Sequence, residues 1–214
     1  MPRNSRITFQ GGFYHIFNRG HNKGKIFYAD SDYEWLLKKI SLLLKKGDWS
    51  IYCYCLMPNH YHFLIEEGKD SVSKFIGRLF TSYGVYFNNK YKRFGSLFQD
   101  RFKSKIIQKE SYFMALSRYI HLNPVKSGLI NNAADYPYGS LGEYTGKIKR
   151  RIINFNKVFK IIGEGSKALE KYVKFVTDGK TGDLDEYDPF NDKREVLGNR
   201  VFASHRKTRS FSLK

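Results

Sequence analysis

Two histidines stand two residues apart, at His60 and His62, directly after a Pro-Asn pair that predicts a turn. The alternating β-prone residues around them predict a strand. Because successive side chains of a strand point to opposite faces, both imidazoles lie on the same face and together could hold one metal ion. Tyr61 and Phe63 then point toward whatever packs behind the sheet. We interpret this strand as the metal-holding part of a nuclease-like site.

A second group with chemical potential lies on a helix predicted to begin near Ser111. Tyr119 and Asn123 are four residues apart, so their side chains lie on one face of that helix. A tyrosine hydroxyl can attack a phosphate, and an amide oxygen can complete the shell of a metal ion. Tyr112 and Leu116 belong to the same stripe, so a core role for Tyr119 fits the helix equally well.

The donor atoms indicate which metal such a site would bind. Two imidazoles and one amide oxygen, without thiolate, favour Mg²⁺ or Mn²⁺ over a structural zinc ion. Zinc is the competing interpretation, because a two-residue hairpin loop at the Pro-Asn pair would place a Cys₂His₂ set on one face of the sheet. Its members would be Cys53, Cys55, His60 and His62. Ligands on flat neighbouring strands make a poor tetrahedron, so buried structural cysteines are favoured.

The composition favours nucleic acid as the partner. The chain has 38 Lys+Arg against 20 Asp+Glu, which gives a net charge of +18. A field of that sign attracts phosphate, and the many aromatic rings could stack on single-stranded bases. No apolar run approaches the length of a membrane span, so no membrane partner is expected. A polar start without a signal region and the absence of a disulfide framework predict a cytoplasmic protein.

Basic side chains that are expected to contact DNA lie at the end of the first predicted strand and between residues 88 and 105. They are Arg19, Lys90, Lys92, Arg93, Arg101, Lys103 and Lys105. A solvated charge run is the alternative for any single member, and Arg101 is the one favoured individually. Of the other histidines, His15 could lie behind a metal ligand or in the core, and His121 is expected to be structural.

The elements that position these side chains predict an α+β fold. Strands are expected at 12–18, 49–56, 60–66 and 102–108, and helices at 30–46, 71–87 and 111–122. The order β-α-β-β-α-β is that of a ferredoxin-like split β-α-β fold, in which helices cover one face of an antiparallel sheet and leave the other for substrate. Pro124 predicts that the third helix ends near Leu122, because the residue before a proline avoids helical geometry.

After this unit the pattern of the sequence changes, with short helical segments in place of strands. We expect a first domain at residues 1–130 and a C-terminal extension at residues 131–214. Helical patterns occur in the extension around 156–162 and 166–177, and its last fifteen residues form a basic tail. The tail is interpreted either as an arm that contacts DNA or as a solvated terminus.

Three blocks of sequence resemble the single-tyrosine, His-hydrophobic-His (HUH) transposases, above all the REP-associated branch that acts on palindromic repeats. The blocks are MPNHYHFL at 57–64, GSLFQDRFKS at 95–104 and YIHLNPVKSG at 119–128. They occur in the order of the family, and the resemblance covers roughly residues 8–140.

The resemblance implies a DNA strand-cleaving and joining enzyme with the fold predicted above. His60, His62 and Asn123 would be metal ligands, and Tyr119 would form a 5′-phosphotyrosine link beside a hairpin in single-stranded DNA. No small-molecule cofactor is implied. The family contains dimers that exchange the tyrosine helix, whereas its REP-associated members are expected to work within one chain, so a monomer or a homodimer is expected.

Two other functions stay open on the sequence alone. A non-catalytic module for structured DNA or RNA would bind with strong salt dependence but without a metal requirement or a covalent adduct. A hydrolytic nuclease would use metal-bound water and would cut without becoming attached to DNA.

Overall fold

The computed structural model describes residues 8–108, 110–163, 167–178 and 187–197. Its sheet consists of β1 (Phe13–Arg19), β2 (Ser50–Met57), β3 (His60–Glu66), β4 (Lys103–Ile107) and β5 (Val196–Leu197). The spatial order is β2-β3-β1-β4-β5; the first four strands are antiparallel to their neighbours, and β5 is parallel to β4. The order of β1 to β4 is that of the split β-α-β fold, so the predicted α+β fold class is confirmed.

Two helices cover one face of the sheet, and a third crosses the opposite face. The helices are α1 (Asp30–Leu44), α2 (Val72–Tyr91), α3 (Glu110–Lys126), α4 (Leu141–Tyr144), α5 (Asn156–Ile162) and α6 (Ala168–Thr177). Phe80 of α2 stacks on Tyr61 of β3 with 3.9 Å between ring centroids. Phe113 of α3 packs against Phe13 of β1, on the other side. The sheet face that we expected to be open to substrate therefore carries α3, the helix that contains Tyr119.

Helix α2 is longer than the sequence predicted. Ser71 caps it, because its side chain accepts a hydrogen bond from the backbone N–H of Ser73 at 3.1 Å. The basic segment expected as a loop from residue 88 is helical up to Tyr91, and the helix ends at Lys92 with φ 53°. The ring of Tyr91 packs against that of Phe87, one turn earlier on α2, and against that of Tyr28, which precedes α1.

The prediction that α3 ends near Leu122 is wrong, since the helix continues through Pro124 to Lys126. Proline has a φ compatible with helix, but inside a helix it loses one backbone N–H bond and its ring crowds the carbonyl four residues earlier. The turns after it keep their bonds, because Ser127 donates to the carbonyl of Asn123 and Leu129 to that of Pro124. Asn123 is consequently held inside a continuous helix, and its side chain is buried.

A buried carboxylate ties α1 to α2. Asp32 accepts hydrogen bonds from the backbone N–H groups of Tyr28 and Ala29, which precede or begin the first turn of α1. It also accepts from the Lys90 ammonium at 2.6 Å and the Tyr91 hydroxyl at 2.8 Å. Burial acts to raise the pKa of the Asp32 carboxyl, but the bonds from Lys90 and the backbone outweigh burial and lower it.

Replacing Asp32 by asparagine is expected to lower the free energy of unfolding by about 2 kcal/mol at neutral pH, because hydrogen bonds to a charged group are lost. Since the folded pKa lies below the unfolded value of about 3.9, the wild-type advantage is full above that value and disappears as the pH falls through the folded pKa. Urea unfolding at neutral and acidic pH measures both. Asp70→Asn, which loses an exposed pair with Lys74, is the control. Equal losses in the two variants would contradict the assignment.

The segment after residue 131 packs into the same core. Ser140 donates its backbone N–H to the carbonyl of Tyr54 in β2, and Tyr144 donates its hydroxyl to the carbonyl of Tyr52. Strand β5 extends the sheet at its β4 edge. The predicted helices in this segment are present as α5 and α6, whereas the basic tail lies outside the described residues. The boundary near residue 130 stays a prediction.

Within the described ranges, no helix combines the length and the apolar character needed to cross a bilayer.

Candidate active site

The two histidines of β3 lie side by side on the face that carries α3. Their ring centroids are 5.0 Å apart, as expected for neighbours on one strand face. His60 lies at the strand end and is partly buried, with Nδ1 2.7 Å from Oδ1 of Asn59. His62 is fully buried, and its Nδ1 lies 3.0 Å from Nε2 of His15 on β1. Among the described residues, Nε2 of His62 has no hydrogen-bond partner.

Helix α3 brings its tyrosine and asparagine onto these histidines. Oδ1 of Asn123 lies 3.1 Å from Nε2 of His60, and the ring of Tyr119 is 5.6 Å from that of His62, centroid to centroid. The two side chains are one turn apart on α3, which is why both reach the same strand. All four side chains belong to the one chain that the structure describes.

Burial shapes the protonation states at this site. It lowers the pKa of His60, against the raising effect of the hydrogen bond with Asn123, and it lowers the pKa of His62 well below the usual value. Both imidazoles are therefore neutral at neutral pH and have lone pairs to offer. Burial also raises the pKa of Tyr119, although its hydrogen bond with Asn123 opposes the shift, so the phenol keeps its proton.

The donor atoms fit a divalent cation. A neutral His60 has one N–H, so it donates either from Nδ1 to Asn59 or from Nε2 to Asn123; in the first tautomer Nε2 and the Asn123 oxygen are two acceptors 3.1 Å apart. Two adjacent ligands of an octahedral ion with bonds of about 2.1 Å lie about 3 Å apart, so a cation would relieve this contact. The buried Nε2 of His62 is a third donor that lacks a partner. These atoms belong to His60, Asn123 and His62, the three residues predicted as ligands from the sequence.

The zinc interpretation is not supported. Cys55 pairs with His62 across the β2–β3 hairpin, as the two-residue loop required. Nevertheless, the described part of the chain contains no group of three or more His, Cys, Asp or Glu side chains that could hold a metal ion. Both thiols are buried, and burial raises the pKa of Cys53 and of Cys55, which favours neutral core residues over ligands.

Three of the predicted DNA-binding residues lie beside the histidines. Arg19 on β1 pairs with His60 on β3. Lys103 and Lys105 lie on β4, the neighbour of β1 on its other side, and Lys105 is buried. Each of the three contacts the segment 187–192, which we call the C-terminal strap. The Arg19 guanidinium lies 4.8 Å from the centroid of the Phe190 ring, Lys103 donates to the carbonyl of Phe190, and Lys105 forms an ion pair with Asp192 at 3.2 Å.

The other four predicted residues lie elsewhere. Arg101 is exposed and lines a groove of about 510 Å³ between α2 and the loop 95–102. Lys90, Lys92 and Arg93 lie at the C-terminal end of α2 and are not brought to the histidines. Lys90 is paired with Asp32, and the Arg93 guanidinium lies over the ring of Phe87.

The C-terminal strap adds side chains that the sequence did not assign to the site. The Tyr187 hydroxyl lies 2.9 Å from Nδ1 of His15, and its ring packs against that of Tyr119. The Phe190 ring packs against the rings of His60 and His62. No local pattern distinguishes Tyr187 or Phe190 from an ordinary loop residue. The sequence did offer a signal for His15. It lies two residues from Phe17 on β1, so the two side chains share a face of the sheet, and Phe17 is the residue that pairs with His62.

His121 behaves as predicted for a structural residue. It lies on another face of α3 than Tyr119, is buried, and its Nε2 is 3.0 Å from the hydroxyl of Tyr172 in α6. It therefore joins α3 to α6 and takes no part in the group around His62.

Comparison with known proteins identifies a family model and solved structures that this chain resembles. The family model for IS200-like transposases matches residues 8–123. A solved REP-associated tyrosine transposase bound to a REP hairpin is 19% identical with a TM-score of 0.55, and the alignment covers 77% of this chain and 98% of that one. At this identity the similarity shows the fold alone.

A second solved structure, of a protein from Deinococcus radiodurans R1 described as a transposase, is 13% identical. Its TM-score is 0.39, with 56% of this chain and 95% of that one covered, and this likeness is too weak to support an argument. No curated protein matches the chain significantly.

Proposed function

Because the chain belongs to the IS200-like transposase family, we propose that it cleaves and rejoins single-stranded DNA through a covalent link to Tyr119. A divalent cation, Mg²⁺ or Mn²⁺, would be held by His60, His62 and Asn123. The observation that supports this is the convergence of α3 on β3, with Asn123 3.1 Å from His60 and the Tyr119 ring against His62.

The chemical step transfers a phosphodiester from one oxygen to another. The Tyr119 phenolic oxygen attacks the phosphorus while its proton passes to solvent. The bond from phosphorus to the 3′-oxygen breaks, and that oxygen keeps the electron pair and takes a proton from solvent to become a free 3′-hydroxyl. The 5′-phosphotyrosine keeps the bond energy, so a second 3′-hydroxyl can displace the tyrosine without ATP. When bound, the cation neutralises charge on the phosphate and polarises it.

Burial keeps the free phenol protonated, but two neighbouring groups oppose that effect and assist ionisation during attack. The Lys126 ammonium lies 5.7 Å from the centroid of the Tyr119 ring, one turn beyond Asn123 on the exposed end of α3. A cation at this distance stabilises a phenolate more than a phenol. Asn123 acts in the same direction, because its hydrogen bond lowers the pKa of Tyr119 against the effect of burial.

The expected substrate is single-stranded DNA beside a hairpin. The net charge of +18 attracts the phosphate backbone. Arg101 belongs to the loop that follows α2, and the carbonyl of Arg19 accepts a hydrogen bond from the backbone N–H of Gln99 in that loop. In that loop the side chain of Phe94 is 97% exposed and offers a face on which a base can stack. A protein of the same fold has been solved with a REP hairpin bound, which agrees with this choice of substrate.

The test is a denaturing gel of labelled hairpin DNA with single-stranded flanks, incubated with the protein and Mg²⁺, Mn²⁺ or EDTA. A protein-linked band that needs the cation, with a new 3′-hydroxyl on the released strand, is the expected result. Cleavage without a linked band would favour the hydrolytic reading, and salt-dependent binding without cleavage would favour a binding module. The DNA should include the sequences that flank the gene.

Arg101→Ala is expected to weaken binding of single-stranded DNA similarly for different sequences, because a phosphate contact carries no base information. The slope of log K against log salt should become shallower by about 0.7. Fluorescence anisotropy over a series of salt concentrations measures both. Arg78→Ala, at an exposed position of α2, is the control with the same charge change. An unchanged slope in Arg101→Ala would remove this residue from the interface.

The domain boundary near residue 130, the oligomeric state, the cytoplasmic location and the lack of a small-molecule cofactor stay predictions from the sequence.

A further inference from the structure

Three buried side chains form a hydrogen-bonded chain behind the proposed metal site. Nδ1 of His62 lies 3.0 Å from Nε2 of His15, and Nδ1 of His15 lies 2.9 Å from the Tyr187 hydroxyl. The two imidazoles are stacked at 5.2 Å, and both are 0% exposed. Tyr187 is buried as well and comes from the C-terminal strap, 172 residues from His15 along the chain.

Each contact in this chain needs one hydrogen, so the neutral side chains have two consistent arrangements. In the first, His62 donates from Nδ1 to His15 and His15 donates from Nδ1 to Tyr187, whose own hydroxyl hydrogen then points away from His15. Nε2 of His62 keeps its lone pair in this arrangement. In the second, Tyr187 donates to His15 and His15 donates to His62. His62 then carries its proton on Nε2, where the described residues offer no acceptor.

We infer that His15 and Tyr187 are positioning residues that hold His62 in the tautomer whose Nε2 can bind a cation. Metal-binding histidines generally donate their other ring N–H to an acceptor, which fixes the tautomer and the ring orientation. Here the acceptor is the imidazole of His15. By accepting a hydrogen bond from Nδ1 of His15, Tyr187 leaves Nε2 of His15 free to accept from His62. This inference rests on the proposed function for the metal, but its proton arrangement is a property of the metal-free chain.

Two substitutions at one position separate the hydrogen bond from the packing. In His15→Gln, the amide oxygen lies about where Nε2 was and can accept from His62. In His15→Asn, a side chain one methylene shorter reaches only the position of Nδ1, so His62 loses its acceptor. Tyr187→Phe removes the other end of the chain and changes no volume apart from one oxygen.

The first readout is Mn²⁺ affinity, measured by calorimetry on the full chain without DNA. His15→Asn is expected to bind about 10–100-fold more weakly than wild type, and His15→Gln close to wild type. Tyr187→Phe should also weaken binding, because His15 is then no longer biased toward donating from Nδ1. Equal affinities in all four proteins would overturn the inference.

The second readout needs no metal. Long-range ¹H–¹⁵N spectra of the histidine rings, with His62 assigned by substitution, should show Nδ1 protonated and Nε2 bare in wild type and in His15→Gln. A proton on Nε2 in wild type would overturn the inference, even if His15→Asn failed to fold. A wild type with the expected tautomer that binds no Mn²⁺ would support the proton arrangement and contradict the proposed metal function instead.

Discussion

Tyr119→Phe is expected to abolish the covalent DNA adduct and to lower strand cleavage on the order of 10³-fold or more, because the nucleophile is removed outright. The change deletes one oxygen and keeps the ring. The ring contacts with His62 at 5.6 Å and Tyr187 at 5.1 Å therefore survive, and the fold should be unaffected. Binding of hairpin DNA should stay at the wild-type level. The measurement is a single-turnover assay on labelled DNA, with anisotropy for binding.

The matched control is Tyr112→Phe, which removes the same atom from a partly buried tyrosine on the same helix. It should cleave and form adduct as wild type does. Full cleavage by Tyr119→Phe, with the linked band also retained, would point to another nucleophile. Retained cleavage with no linked band in either protein would mean that metal-bound water attacks, and the covalent mechanism would be abandoned.

The core of the site could be predicted because it depends on two short periodicities. The period of a strand puts His60 and His62 on one face, and the spacing of four on a helix puts Tyr119 beside Asn123. Once the order of strands and helices is known, α3 has to follow β4 and pack on the sheet. The same rule gives the face of β1 on which His15 lies, although the sequence could not show that its hydrogen-bond partner is His62.

Local rules failed where packing outweighs them. Pro124 predicted the end of α3, but the contact of Asn123 with His60 and the hydrogen bonds beyond the proline accompany a helix that continues to Lys126. Likewise, the sequence around Lys90 predicts only one of several solvated basic side chains. Lys90 is in fact paired with Asp32, 58 residues earlier, and only the packing of α1 on α2 brings the two together.

The contribution of the strap could not be read from the sequence at all. Tyr187 and Phe190 lie in an acidic, turn-rich stretch whose composition suggests a solvated loop. Their contacts with His15 and His62 join parts of the chain more than a hundred residues apart. Lys105 and Asp192 hold the strap by a partly buried ion pair of the same long range, in which burial lowers the pKa of Lys105 while Asp192 raises it.

His60→Ala is expected to weaken Mn²⁺ binding and adduct formation by on the order of 100-fold or more, since loss of a ligand should exceed the loss of a residue behind a ligand. His60 is the better choice than His62 for this test. It is only partly buried at the strand end, so water can solvate Asn59 and Asn123 after truncation. Alanine at the fully buried His62 would instead leave a cavity and an unpaired His15, so lost activity would mix with lost stability.

The measurement pairs Mn²⁺ calorimetry with the adduct assay, and His21→Ala supplies the control because His21 is exposed in the short turn after β1. The control should match wild type in both assays. If His60→Ala kept its Mn²⁺ affinity but lost the adduct, His60 would contact DNA and not the cation. If it kept both, the close approach of its Nε2 to Asn123 would be an ordinary hydrogen bond, with the proton of His60 on Nε2 and no cation between the two side chains.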